Sequence, residues 1–194
     1  MNAAATLLGL AALVASAPQA SRPAREGDDL LGMEAPSLED LRWIDRDPIR
    51  LEDLRGKTVL LRWWTTGCSL CTNSAPALRE LEERYRAKGL VVLAIYHPKP
   101  GPRAVDDETV KKGAADLGLP FPLAADAEWK ALRRWWLDRP GRSFTSVSFL
   151  LDREGKIRFV HPGGEFHRSE DPKHARCARD FADLEAAVER LVRG

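Results

Sequence analysis

Two apolar segments with one amphipathic segment between them place the strongest constraint on how this chain folds. Thr58–Trp64 and Leu90–Tyr96 are apolar runs of strand length, which is typical of strands buried on both faces of a sheet. Between them, Leu78, Leu81 and Tyr85 recur at helical spacing, which predicts a helix. A strand, a helix and a second strand within about forty residues form a βαβ unit, with parallel strands and a right-handed crossover.

The rest of the chain adds strands and helices to this unit. Residues 106–118 are predicted to form a helix, residues 121–126 a short strand and residues 127–137 a short amphipathic helix. Residues 145–152 and 156–161 are strand-like and are joined by Arg-Glu-Gly, which predicts an antiparallel hairpin. A closing helix is expected to cover the sheet. This order of elements predicts an α/β fold with a mixed central sheet.

Length, composition and net charge indicate a globular protein and argue against a nucleic-acid-binding one. A chain of 194 residues, 44% apolar and 30% charged, has the composition of a globular protein with one sizeable core. Its formal net charge of +1 argues against general nucleic-acid binding, which needs a clear excess of cationic groups.

The N-terminal residues have the features of a targeting signal. Residues 3–17 are apolar but shorter than the roughly 20 residues of a membrane span, and Ala15-Ser16-Ala17 resembles a signal-peptide cleavage site. We therefore interpret residues 1–20 as a signal peptide or an N-terminal membrane anchor, residues 21–36 as a linker and residues 37–194 as the domain. Export, with a possible membrane tether, is the expected outcome.

Cys68 and Cys71 lie where the first predicted strand ends and the helix begins. A sulfur at a helix N-terminus faces free N–H groups, which stabilise the thiolate and lower the thiol pKa. A second cysteine three positions later lies nearly one turn on and can close a disulfide with the first. The pattern predicts that Cys68 attacks a partner disulfide and that Cys71 resolves the mixed disulfide, with no bound cofactor.

The other cysteine and the histidines form no recognisable zinc motif. A structural zinc site needs four ligands, and no second C-x-x-C or H-x₃₋₅-H pair occurs at the usual spacing, so no metal site is expected. Cys177 opens the final helix and is interpreted as a packing or surface residue. His97 follows a predicted parallel strand, so it either tunes the cysteine pKa values or is an ordinary loop histidine.

A longer segment around the cysteines resembles the TlpA/ResA-like thiol–disulfide oxidoreductases of the thioredoxin fold. In residues 56–78 the resemblance rests on Gly56-Lys57, on the aromatic Trp64 before the motif and on Pro76 after it. Residues 149–164 resemble the closing hairpin of that family. The resemblance implies a three-layer fold with helices on both faces and a βα insertion near residues 97–126. It also implies a protein thiol or disulfide substrate, a protein redox partner and a periplasmic location.

Three positions depart from the family pattern. Ser146, in the stretch Thr145–Ser146, takes the place of the family's cis-proline, whose loop contacts the substrate chain and shields the sulfurs from metals. Arg62 takes the place of a buried carboxylate found in thioredoxins, and Ser74 takes the place of a glutamate. A cation near the sulfurs would favour the thiolate.

Two other functions fit parts of the pattern. Thr65, three residues before Cys68, matches the Thr-x-x-Cys of peroxiredoxin-type thiol peroxidases, although Leu61 and Ser146 replace that family's proline and arginine. The second alternative is a copper- or metal-binding module that uses Cys68, Cys71 and a histidine, as thioredoxin-fold copper-delivery proteins do.

Overall fold

The computed structural model describes residues 25–194, which form a six-stranded mixed sheet with helices on both faces. The strands lie in the order β1-β4-β3-β2-β5-β6. They are β1 (Arg42–Trp43), β2 (Thr58–Trp64), β3 (Leu90–Tyr96), β4 (Leu123–Ala125), β5 (Ser148–Leu151) and β6 (Ile157–His161). The predicted leader, residues 1–20, lies outside the described residues. No helix within residues 25–194 is long and apolar enough to cross a membrane.

The central strands carry the predicted βαβ unit. β2 and β3 pair in parallel from Thr58 opposite Leu90 to Trp64 opposite Tyr96, and every residue of β2 is buried. β5 pairs antiparallel with β2, and β6 pairs antiparallel with β5 as the predicted hairpin. The mixed sheet confirms the predicted fold class.

The helices divide the core into two layers. They are α1 (Ser69–Tyr85), α2 (Asp107–Leu117), α3 (Lys130–Leu132) and α4 (Ala175–Arg193). Residues of α1, α2 and α4 pack with Leu60 and Val92 in one core cluster. The neighbouring strand residues Leu61 and Leu93 point to the opposite layer, with α3 and the wider π-type turn Arg133–Leu137. Alternate strand residues therefore serve opposite layers, as the pleat requires.

Three features differ from the sequence prediction. β1, a two-residue strand antiparallel to β4, was not predicted because it is too short to show a period. Residues 127–137 form one α turn followed by a π turn, with Trp135 and Trp136 both buried, and not one regular helix. Residues 25–36, assigned to the linker, lie against β6, because Leu30 is buried and Gly32 donates a backbone hydrogen bond to the carbonyl of Ile157.

Candidate active site: the Cys68–Cys71 pair

The strand-to-helix junction positions both cysteines. β2 ends at Trp64, Gly67 turns the chain in the left-handed region (φ 68°), and Cys68 caps the N-terminus of α1. The Cys71 amide donates a hydrogen bond to the Cys68 sulfur over 3.2 Å. Both cysteines are free thiols, Cys68 partly exposed and Cys71 buried with 4% of its surface accessible. An incoming substrate can therefore reach Cys68, while Cys71 lies behind it.

Ser146 lies directly beside both sulfurs. Its hydroxyl oxygen is 3.3 Å from the Cys71 sulfur and 3.8 Å from the Cys68 sulfur. The peptide bond before Ser146 is trans, so the segment lacks the cis geometry that the family pattern has at this place. A hydroxyl group here can donate a hydrogen bond to a thiolate, which a proline ring cannot do.

Arg62 is a buried cation within reach of the pair. It is 1% exposed, and its guanidinium donates hydrogen bonds to the carbonyl oxygens of Ser146 (2.7 Å) and Gly164 (3.1 Å). The Phe166 ring lies 5.2 Å from the guanidinium carbon. Within residues 25–194 no carboxylate forms an ion pair with Arg62, so the cysteine sulfurs are the negative charges that can neutralise it.

The two thiols share one proton. A hydrogen bond from Cys68, the charge of Arg62, the Ser146 hydroxyl and the Thr65 amide together lower the pKa of Cys71 to about 5, against the opposing effect of burial. The hydrogen bond to Cys71, followed by burial, raises the pKa of Cys68. The lowered pKa expected for Cys68 at the helix N-terminus therefore belongs to Cys71, because Cys71 is the sulfur that faces Arg62 and accepts the hydrogen bond from Cys68. The pair thus loses its first proton at low pH and keeps the second, held mainly by Cys68, at neutral pH.

The structure places the other predicted site residues at the end of β2, inside α1 and beside Ser146. Trp64 is buried and packs edge-on against Tyr96, with ring centroids 5.1 Å apart. Thr65 is buried, and its hydroxyl has no hydrogen-bond partner within residues 25–194. Pro76 lies inside α1, two turns after the cap. Thr145 is also buried, next to Ser146.

The contacts of Ser74 and His97 show that neither residue acts as an acid or base toward the cysteines. The Ser74 hydroxyl donates to the Leu70 carbonyl (2.8 Å) and accepts from the Phe166 amide (3.1 Å), so it anchors a loop to α1. His97 is fully buried against Trp129, and burial lowers its pKa to about 4. No hydrogen bond joins His97 to either sulfur in the part of the chain that the structure describes.

Sequence reasoning missed the part of the site that comes from residues 164–166. Gly164 accepts a hydrogen bond from Arg62, 102 positions earlier in the chain, and Phe166 lies against the same guanidinium. No periodicity or spacing links residues so far apart. The glycine pair Gly163-Gly164 was the available signal, and it marks a loop without saying what the loop contacts.

Comparisons with known proteins identify the family of this chain. The profile of the AhpC/TSA family matches residues 31–160. The thiol-disulfide oxidoreductase ResA of Geobacillus thermodenitrificans is 32% identical over 135 residues, which cover 69% of this chain and 70% of ResA. Protein DipZ of Mycobacterium tuberculosis is 31% identical over 145 residues, which cover 70% of this chain and 19% of DipZ. The chain thus spans about a fifth of the DipZ length.

Solved structures support the fold. A thioredoxin family thiol:disulfide interchange protein from Chlorobium tepidum superposes with a TM-score of 0.59 at 20% identity, covering 82% of this chain and 95% of that one. A secreted Mycobacterium tuberculosis disulfide oxidoreductase homologous to DsbE gives 0.54 at 17% identity, covering 84% and 99%. The predicted resemblance is confirmed: the chain belongs to the AhpC/TSA family, has the thioredoxin-like fold and is similar to the ResA thiol–disulfide oxidoreductases.

Proposed function

We propose that this protein exchanges disulfides with partner proteins, with Cys68 as the attacking sulfur and Cys71 as the resolving one. The observation that carries the proposal is the difference in access between the two sulfurs at one helix N-terminus. Cys68 is partly exposed, whereas Cys71 is buried between Ser146 and the cation of Arg62. A partner disulfide can therefore approach Cys68 but not Cys71.

The shared proton explains how the accessible sulfur becomes the nucleophile. Because the pKa of Cys71 is lowered and that of Cys68 is raised, the Cys71 thiolate first takes the proton of Cys68. The Cys68 thiolate then attacks one sulfur of the partner disulfide and releases the other partner sulfur as a thiolate. The Cys71 thiolate, after losing its proton to solvent, then attacks the Cys68 sulfur and releases the second partner thiolate. The partner gains two electrons, and the pair becomes the Cys68–Cys71 disulfide. A protein redox partner restores the dithiol, or the same steps run in reverse to oxidise a substrate.

The surface beside Cys68 fits a substrate polypeptide. Phe144 is 49% exposed and lines a cavity of about 260 Å³ together with Leu70, which follows Cys68 by two residues. The adjacent Thr145 makes no backbone hydrogen bond within residues 25–194. An apolar contact and an unpaired peptide group next to the sulfur are the features that an extended substrate chain uses.

The location of the protein is part of the same proposal. The apolar segment 3–17 would direct export to the periplasm or tether the domain to the membrane. An alkaline phosphatase fusion to residues 1–36 should be active in a bacterial host if this segment exports its cargo. A fusion that is produced but inactive would contradict export by this segment.

Trapping of mixed disulfides tests the exchange mechanism. The Cys71→Ser variant should accumulate mixed disulfides with partner proteins on non-reducing gels, because the second step cannot occur. The Cys68→Ser variant should accumulate none, and the Cys177→Ser variant should behave as the wild type. Equal trapping by the first two variants would contradict the assigned order of attack.

The two alternative functions have direct tests. The backbone amide of Thr65, the residue shared with peroxiredoxins, contributes to the lowered pKa of Cys71 and not to a lowered pKa of Cys68, so we expect no peroxide consumption by the reduced protein. Within residues 25–194 no histidine is grouped with Cys68 and Cys71 as a metal site, so we expect titration of the reduced protein with Cu(I) to give the same binding for the wild type and for Cys68→Ser.

A further inference from the structure

A second cluster of reactive side chains lies outside the redox pair. Glu165, His167, His174 and Cys177 converge so that one donor atom of each lies within 4.8 Å of the others. Glu165 and His167 belong to the loop after β6, whereas His174 caps α4 and Cys177 lies in its first turn. We propose that these four residues form a binding site for a divalent transition metal, with zinc as the best match.

The separations between the donor atoms fit a tetrahedral ion. Zinc bonds of 2.0 to 2.3 Å place neighbouring ligand atoms roughly 3.3–3.8 Å apart. The Glu165 oxygen Oε1 lies 3.3 Å from the Cys177 sulfur, 3.5 Å from His174 Nδ1 and 3.9 Å from His167 Nε2. The Cys177 sulfur lies 3.9 Å from His174 Nδ1. Four edges of the expected tetrahedron are therefore nearly in place.

Hydrogen bonds account for the contacts of Cys177 with Glu165 and, at longer distance, with His174, but they do not account for the convergence of the two histidines on Glu165. The contacts of Glu165 with His174 and His167 are as long as or longer than a normal hydrogen bond between nitrogen and oxygen. The rings of His167 and His174 lie with their centroids 5.0 Å apart, tilted by 57°. Two imidazoles thus point at the same location as the hydrogen-bonded Cys177 thiol and Glu165 carboxylate, without a close hydrogen bond of their own to that carboxylate.

Surrounding contacts orient the donors toward that location. The His167 Nδ1 atom lies 3.0 Å from the Arg168 carbonyl oxygen, which fixes the proton on Nδ1 and leaves Nε2 free to bind a metal. The other carboxylate oxygen of Glu165 accepts a hydrogen bond from Asn73 (2.5 Å). The His167 amide donates to the Cys177 carbonyl (3.3 Å), which holds the loop against α4. These are the supporting contacts that metal ligands in proteins usually have.

The donor set and the access route favour zinc. One thiolate, two imidazoles and one carboxylate match the ligands that zinc accepts, whereas Mg²⁺ and Ca²⁺ prefer oxygen alone. The Glu165 and His167 side chains are 15% and 19% exposed, and a groove of about 600 Å³ lined by His167 and His174 leads to the cluster. On binding, the Cys177 thiol releases its proton to solvent and the thiolate takes up the metal.

Titration with Co²⁺ under reducing, anaerobic conditions tests the proposal. We expect one Co²⁺ per chain with the visible bands of a tetrahedral site and a thiolate-to-cobalt charge-transfer band, and displacement of Co²⁺ by one equivalent of Zn²⁺. The Cys177→Ser variant should lose the charge-transfer band, and the His174→Gln variant should lose tetrahedral binding. The Asn73→Ala variant, which keeps all four ligands, should bind about 10-fold to 100-fold more weakly.

A variant of the redox pair provides the matched control. The double variant Cys68→Ser/Cys71→Ser should bind Co²⁺ like the wild type, because its metal ligands are intact. Loss of binding in this variant, or binding that Cys177→Ser leaves unchanged, would overturn the proposal. Circular dichroism of each variant establishes that it is folded. The readout does not depend on disulfide exchange, so this proposal and the proposed function fail independently.

Discussion

Arg62 sets the charge balance around the cysteine pair. A guanidinium that is buried and lacks a carboxylate partner within residues 25–194 is costly unless a nearby group carries negative charge. The reduced pair supplies that charge as a thiolate, whereas the disulfide form carries none. The reduced state is therefore stabilised relative to the disulfide, which makes the pair more oxidising than one without the cation.

Replacing Arg62 with methionine should reverse this effect. In Arg62→Met we expect the first pKa of the pair to rise by one unit or more, and the reduction potential to fall by about 30 mV per pKa unit at neutral pH. Ultraviolet thiolate absorbance against pH and redox titration measure the two quantities. Arg158→Met, at an exposed arginine paired with Asp152, serves as the control. An unchanged thiol pKa in Arg62→Met would contradict the assignment.

The pH dependence of the potential follows from the shared proton. The pKa of Cys71 is about 5 and that of Cys68 is raised, so the reduced pair keeps one proton across neutral pH. Its potential should fall by about 30 mV per pH unit between pH 6 and 8, and by about 60 mV per unit below pH 5. Redox titrations at several pH values measure the slope. A slope near 60 mV at pH 7 would mean that both thiols are protonated there.

Helix α2 packs against the segment that leads into the active site. A Cβ atom at Gly113 would lie 2.6 Å from the Thr66 methyl group and 3.2 Å from the Trp64 ring. The absence of a side chain at Gly113 therefore lets α2 pack directly against the residues that precede Cys68.

A larger residue at this contact should disturb both stability and the site. Gly113→Leu forces α2 away from Trp64 and Thr66, so we expect the free energy of unfolding to fall by about 1–3 kcal/mol. Ala115→Leu, on the exposed face of the same helix, should leave stability nearly unchanged. Urea unfolding of both variants measures the difference. Equal stabilities for the two variants would show that α2 does not pack closely at Gly113.

The elements differ in how far the sequence predicts them. β2 and β3 match the prediction residue for residue, because strands buried on both faces appear as continuous apolar runs. β1 has two residues and depends on pairing with β4, which no local pattern encodes. The cysteine pair is a local motif and could be predicted, whereas the contacts of Arg62 join residues 84 and 102 positions apart and could not.

Two buried histidines affect the stability of the whole molecule. Burial lowers the pKa of His97 to about 4 and also lowers the pKa of His161. In the unfolded chain a histidine takes up a proton near its ordinary pKa of 6.5, while the folded chain does not until the pH reaches the lowered value. Both groups thus stabilise the fold above pH 6.5, and this contribution is lost as the pH falls.

Comparison with a non-titrating variant isolates the contribution of His97. His97→Phe keeps an aromatic ring next to Trp129 but takes up no proton. Between pH 6.5 and 4 the unfolding free energy of the wild type should fall more than that of the variant, by on the order of 3 kcal/mol. The disulfide form is used, so that Cys71 does not titrate. Parallel pH profiles for the two proteins would exclude a lowered pKa at His97.

The loop after β6 joins the redox pair to the proposed metal site. Its Gly164 carbonyl accepts from Arg62, the Phe166 amide donates to Ser74 in α1, and Glu165 between them belongs to the four-residue cluster. Any movement of this loop on metal binding changes the surroundings of Arg62 and the energy of the thiolate. The coupling between the two sites is reciprocal. If bound metal changes the equilibrium ratio of dithiol to disulfide by some factor, then reduction of the disulfide changes the metal affinity by the same factor. The oxidation state of this protein and its metal content would then report on each other.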